Sequence, residues 1–227
     1  MRRLLKLLTA LVLVVVLGAV AVWYFLIRSD AAPRATITET PTVAAAASEL
    51  DGTYKVVAGK SENFVGYRVT EKLVASIVRT DATGRTDVVT GTLQISGTTI
   101  SEVTVTADMR TLTSDRDQRD QRLHSSGIES DRYPQAKFVL AQPITLATAP
   151  TVGQTITADA VGDFTLHGVT KRVTISIQGR WDGAAVQIVG HLPIVFGDYN
   201  ITPPSSPLVA SVDDHGEMEF QLFFRKS

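Results

Sequence analysis

The chain has 227 residues, of which 44% are hydrophobic and 20% charged, and it has no cysteine. That is ordinary globular composition, and it excludes wholesale disorder, disulfide stapling and thiolate metal sites. Residues 49–227 carry 17 Lys and Arg against 21 Asp and Glu, after the 5 basic and 2 acidic residues before position 49 are set aside, so this part is net −4, which argues against nucleic acid as a ligand.

The chain opens with Arg2, Arg3 and Lys6, and then runs from Leu7 to Ile27 without a charge. As a helix this run is roughly 30 Å long, the thickness of a bilayer's hydrocarbon core. The positive flank predicts a cytoplasmic tail at 1–6, an uncleaved single-pass transmembrane anchor at 7–27, and everything after Arg28 on the extracytoplasmic side. Trp23 and Tyr24 fall at the distal interface, where amphipathic rings are favoured. The competing reading is a cleaved signal peptide ending near Ala19-Val20-Ala21, but Val22 to Ile27 continue apolar past it. Residues 28–48, rich in Ala, Thr and Pro, read as a flexible linker.

From Glu49 the pattern changes to short β-branched and aromatic runs broken by Gly, Asp and Pro. Strands are predicted at 54–57, 64–70, 87–95, 137–146, 154–166 and 185–195. Three further runs alternate by parity. Val103, Val105, Ala107 and Met109 share a face, as do Val173, Ile175 and Ile177, and Met218, Phe220, Leu222 and Phe224. Residues 114–124 are too charged for a strand and read as a short helix, with Ser114 as its cap and Asp115 and Asp117 in its first turn. Eight or nine antiparallel strands with one side helix predict a closed up-and-down barrel over 49–227.

Four segments then carry a family likeness. They are Phe64-Val65-Gly66-Tyr67-Arg68-Val69-Thr70-Glu71; Thr90-Gly91-Thr92-Leu93 followed by Val103-Thr104-Val105; Arg119-Asp120 with Leu123, then Tyr133-Pro134-Gln135-Ala136-Lys137-Phe138; and Gly162-Asp163-Phe164-Thr165-Leu166-His167-Gly168-Val169-Thr170-Lys171. In this order they resemble the YceI-like family of lipid-binding barrels. The resemblance implies an extended eight-stranded, lipocalin-like antiparallel barrel with a helix at its side and a long-chain isoprenoid or other amphiphilic lipid in its lumen. Glu71 stands where that family often has a His.

Phe164, Ile175, Ile177, Ile188, Phe196, Phe220, Leu222 and Phe224 are the candidate wall of a lipid cavity, with ordinary core packing as the alternative for each. Arg68 is a candidate cation at the cavity mouth, and His167 a candidate head-group contact or hydrogen-bonding turn residue. Arg119 and Asp120, beside Tyr133 and Pro134, are expected to lock the helix onto the barrel, and Gly168 to permit the tight turn after His167. The four histidines form no ligand spacing, so no metal and no cofactor is expected. No nucleophile with a base and no phosphate-cradling loop is legible, so the domain reads as non-catalytic. The expected function is extracytoplasmic binding or carriage of an amphiphilic lipid; the alternative is a structural or interaction module with a filled core. The partners are the lipid, the membrane and, as an open option, a second copy in a homodimer.

Overall fold

Among the described residues thirteen strands form one antiparallel sheet that closes on itself. The computed structural model describes residues 2–24, 31–38, 50–59, 62–74, 79–203 and 209–227. The strands are β1 (Gly52–Val56), β2 (Phe64–Leu73), β3 (Arg79–Thr86), β4 (Val89–Ser96), β5 (Thr99–Asp108), β6 (Thr113–Ser114), β7 (Gln135–Leu140), β8 (Ile144–Thr145), β9 (Thr155–Leu166), β10 (Val169–Trp181), β11 (Ala185–Val195), β12 (Val209–Val212) and β13 (His215–Lys226). Closure is made by β13. Its C-terminal end pairs with β1 through Val56↔Phe224, and its N-terminal half pairs with β2 through Arg68↔Glu217. On their other edges β1 pairs with β4 and β2 with β3. Thus β1 and β2 act as one broken strand, β3 and β4 as the next, and the ring has eight members with β5, β7, β9, β10, β11 and β13.

The longest hairpin shows why these residues form these strands. β9 and β10 pair from Leu166↔Val169 outward, joined by His167 (φ 51°) and Gly168 (φ 74°). Two successive positive φ values suit the two-residue turns whose twist matches the flanking strands. A Cβ at Gly168 would stand 2.7 Å from the Tyr133 ring, so the glycine is required twice over.

The interior is apolar and continuous from strand to strand. Tyr54, Leu93, Leu222 and Phe224 are almost wholly buried at one end, and Met109, Leu112, Ile128 and Ile194 lie toward the other. The parities read from the sequence hold on β5, β10 and β13, whose Val103, Val105, Ile175, Ile177, Phe220 and Leu222 all face this interior.

Several expectations need correction. β3, β6 and β12 have no apolar alternation, and none was foreseen. The predicted strand 87–95 starts at Val89, because Asp87 and Val88 form the break between β3 and β4. The predicted 137–146 divides into β7 and β8. The side helix is shorter than 114–124: α2 spans Asp117–Arg122 and runs on as a wider turn over Leu123–Gly127. Ser114 is not its cap but a β6 residue, whose amide and hydroxyl both donate to the Asp120 carboxylate.

The linker expectation is also corrected in part. Residues 31–38 do not float; they lie extended against the outside of the barrel. The Ala32 amide donates to Thr83 Oγ1 at 2.9 Å and the Thr38 amide to Gln187 Oε1 at 2.9 Å. Residues 28–30 and 39–48 of the expected linker lie outside the described residues.

Ahead of this, α1 (Arg2–Val22) is a 21-residue helix. Its large apolar side chains from Leu8 to Val22 are exposed, as are Trp23 and Tyr24 beyond it. Among the described residues no helix is long and apolar enough to cross a membrane. The end of the expected anchor, from Phe25 to Ile27, lies outside the described residues.

Candidate functional site

Two adjoining chambers occupy the barrel. The upper has a volume of about 380 Å³ and the lower about 80 Å³. Val65, Ala136, Phe164 and Met218 line both, so the two apolar chambers abut across these four side chains. The upper chamber alone is of the size that binds small molecules.

Strand alternation puts the predicted wall where a wall is needed. Ile175, Ile177, Ile188, Phe220, Leu222 and Phe224 line the lower chamber, Phe196 lines the upper, and Phe164 lines both. Glycines make room for the larger rings. A Cβ at Gly190 would come within 2.7 Å of the Phe220 ring, so the bare backbone of β11 is what makes room for that ring.

The rim of the upper chamber is polar and is built by α2. Arg119 Nη2 donates to Glu71 Oε1 at 2.7 Å, its Nη1 is paired with Asp115, and the Arg119 and Glu71 side chains are only 14% and 5% exposed. Burial by itself would lower the Arg119 pKa, but the carboxylates of Glu71 and Asp115 outweigh it and raise it. Asp120 holds α2 from its other side through Ser114. This pair of contacts locks the helix to β2 and β6, the structural role expected of Arg119 and Asp120.

Tyr67 stands beside this ion pair. Its ring covers Gly84, where a Cβ would meet it at 2.4 Å. Its buried hydroxyl has no hydrogen-bond partner among the described residues. Burial pushes its pKa well above the usual phenol range; Asp120 and Glu71 add to this and Arg119 opposes it. The hydroxyl is therefore a neutral donor left free at the upper chamber, where a buried group without a partner costs about 1–3 kcal/mol.

Two predicted ligand contacts are not brought to the lumen as expected. Arg68 borders the upper chamber along β2, but Tyr67 and Glu71 hold the inward parity and its guanidinium is engaged on the outer face. There it contacts Asp81 at 3.2 Å, Glu219 at 3.5 Å and the Ala32 carbonyl at 2.6 Å. His167 does not line either chamber. Its Nδ1 lies 2.9 Å from the Tyr199 carbonyl, its Nε2 2.9 Å from Glu129, and its ring packs on Tyr133 with centroids 4.3 Å apart. It is a latch between the β9–β10 turn and the segment after α2. Pro134 closes the same corner, its carbonyl accepting from the Met109 amide at 2.8 Å.

The sequence reading missed Tyr67 as a cavity residue and Glu71 as the partner of Arg119. A signal was present: Tyr67 and Glu71 share parity with Val65, whereas Arg68 does not. Arg116, just ahead of α2, and Arg122 within it also border the upper chamber. Among the described residues no group of three or more His, Cys, Asp or Glu is placed to hold a metal ion. Chemically, the arrangement offers an elongated apolar space with a hydrogen-bonding, charge-matched rim.

A family model described as the YceI-like domain matches residues 42–224. A UPF0312 protein of Vibrio vulnificus (strain YJ016) is 27% identical over 124 residues, 52% of this chain and 62% of that protein. A UPF0312 protein of Pseudomonas putida (strain W619) is 31% identical over 113 residues, 47% of this chain and 55% of that one. The chain thus spans less than two thirds of the length of these relatives. Among solved structures, a polyisoprenoid binding domain from Saccharophagus degradans, implicated in plant cell wall breakdown, matches with a TM-score of 0.60 and 18% identity, covering 77% of this chain and 98% of that one. Burkholderia cenocepacia BcnA matches with a TM-score of 0.54 and 20% identity, covering 71% and 95%. At these identities the likeness is one of fold.

Proposed function

The chain belongs to the YceI-like family, and on that premise we propose that its barrel binds a long-chain isoprenoid or similar amphiphilic lipid, tail in the chambers and polar end at the α2 rim. The observation that carries this is the pair of apolar chambers abutting at Ala136 and Phe164: two such spaces set one after the other along the barrel suit a chain better than a compact ligand. Each methylene taken from water into such a space contributes roughly 0.8 kcal/mol, so a tail supplies affinity and the rim supplies orientation. The Saccharophagus degradans domain of the same fold is described as polyisoprenoid binding, which supports the same class of ligand. No step of chemistry is needed for this role, and the domain acts as a carrier or holder, not a catalyst.

The proposal includes the location. The uncharged run from Leu7 to Ile27 is the membrane anchor, with Arg2, Arg3 and Lys6 on the cytoplasmic side and the barrel outside. The unpacked, exposed apolar face of α1 supports this, because a soluble chain rarely leaves so much contiguous apolar surface uncovered.

The test is native mass spectrometry of the full chain purified from cells, followed by organic extraction. An isoprenoid-like lipid retained at near one per chain supports the reading. A protein that is empty and also ignores added isoprenoids and phospholipids refutes it in favour of a surface interaction module. The same spectra read whether one or two chains travel together.

A further inference from the structure

Residues 31–38 cover a polar stripe that crosses β3, β2, β13 and β11 on the outside of the barrel. Beneath them Glu219 is 2%, Gln187 4% and Arg68 8% exposed, although strand parity turns all three away from the core. The contacts are specific at both ends. Near the start, the Ala32 amide reaches Thr83, the Ala32 carbonyl accepts from Arg68, the Pro33 carbonyl accepts from Arg85, and Arg34 pairs with Glu217. Near the end, Gln187 donates to the Thr36 carbonyl at 3.1 Å and accepts from the Thr38 amide at 2.9 Å. Arg85 also reaches Glu219 at 2.9 Å, so the buried carboxylate is neutralised beneath the segment.

This strap has a direction. Its first contacts, Arg68 and Glu217, are opposite each other and border the upper chamber. Its last contact, Gln187, is opposite Phe223, between Leu222 and Phe224 of the lower chamber. From Glu217 to Phe223 the strand advances roughly 20 Å, as does an extended segment from Ala32 to Thr38. The strap therefore runs from the level of the rim to the level of the lower chamber, with Ala32 at the rim level.

We infer that the strap is an orienting tether that turns the α2 rim toward a lipid surface. The inference rests on the anchor in the proposed function. Between Ile27, the last residue of the uncharged run, and Ala31 there are three residues, so the four steps of chain reach at most about 14 Å. A free linker from Arg28 to Glu49 would reach roughly 75 Å and leave the barrel unoriented. Docking converts the loose leash into a short one attached at the rim, and it places the rim beside the surface from which an amphiphile would enter.

The absence of cysteine makes the test direct. Val74→Cys, 63% exposed and just past the rim end of β2, and Ala184→Cys, exposed in the β10–β11 turn at the opposite end, are labelled separately with a fluorophore. The full chain is reconstituted into phosphatidylcholine and phosphatidylglycerol vesicles containing a lipid with a nitroxide on its head group. The label at position 74 is expected to be quenched at least threefold more steeply than that at 184. Replacing residues 31–38 with an equal length of Gly and Ser, or Gln187→Ala with Arg34→Ala, is expected to bring the ratio toward one. Thermal melting verifies that the barrel still folds; the Gly/Ser replacement leaves every barrel residue intact. Equal quenching in the parent, a ratio unchanged when the strap is replaced, or failure of the chain to float with vesicles overturns the inference. The readout needs no bound lipid, so an oriented barrel that binds nothing sinks the proposed function alone, and an unoriented barrel that binds lipid sinks this inference alone.

Discussion

Ala136→Leu places a larger side chain at the junction of the chambers, where Ala136 is buried opposite Ala107 and borders both chambers. Two small cross-strand neighbours leave room there for a tail to pass from one chamber to the other on the proposed reading. A leucine would project into that room and bar a lipid tail from the lower chamber of about 80 Å³. If that removes about four methylenes from the bound state, at roughly 0.8 kcal/mol each, the loss is about 3 kcal/mol, or roughly two-hundredfold in Kd. The empty protein should not suffer in proportion, because the new carbons fill space that was void, against an overpacking cost of about 1–3 kcal/mol. The assay is displacement of a fluorescent long-chain isoprenoid, run beside a short-chain analogue that fits in the upper chamber, with thermal melting of the empty barrel. The long ligand should weaken by about two orders of magnitude and the short one by less than threefold. Equal weakening of both, or of neither, refutes the continuous passage.

Glu71→Ala leaves Arg119 with Asp115 alone in a mostly buried setting and should cost about 2–3 kcal/mol in urea unfolding, with Glu71→Gln/Arg119→Met recovering part of it. Tyr67→Phe should stabilise the empty barrel by about 1 kcal/mol and weaken a ligand with an acceptor at its polar end. Because the folded phenol titrates above its ordinary range, the unfolded chain loses that proton first as pH rises, so stability falls above about pH 10, and Tyr67→Phe should flatten that fall. Gly84→Ala forces Tyr67 off its seat, with a cost of about 1–3 kcal/mol visible as a lowered melting temperature.

The apolar half of the barrel was legible in sequence because burial on one face leaves a period of two. Residues 218–224 and 173–177 declared their inward sets without help from any neighbour. β3 was illegible for the same reason in reverse. Its inward positions are Thr80, Ala82, Gly84 and Thr86, and small or polar residues carry no periodic signal where a cavity, Tyr67 and Glu71 occupy the space in front of them. The docked segment was hidden by distance: Arg34 meets Glu217 across 183 residues and Thr38 meets Gln187 across 149, and a run of Ala, Thr and Pro shows no sign of such partners. Arg68 does border the upper chamber as a mouth cation would, but its parity sends the guanidinium to Asp81, Glu219 and the Ala32 carbonyl on the outer face, partners that no local pattern announces.

The way the ring closes also bears on how the protein comes to exist. The strand that completes it pairs with residues made long before, down to the Ser227 hydroxyl on the Thr53 carbonyl, 174 positions earlier. Until β13 arrives, the strands already made are an open sheet with an apolar inner surface. Pairings of such separation form slowly, because loop entropy must be overcome before any contact rewards it. The nascent domain is then most exposed to aggregation just before its final dozen residues join. An amphiphile that fills the trough at that moment would act as a folding template, and its yield, not only its affinity, would record the encounter.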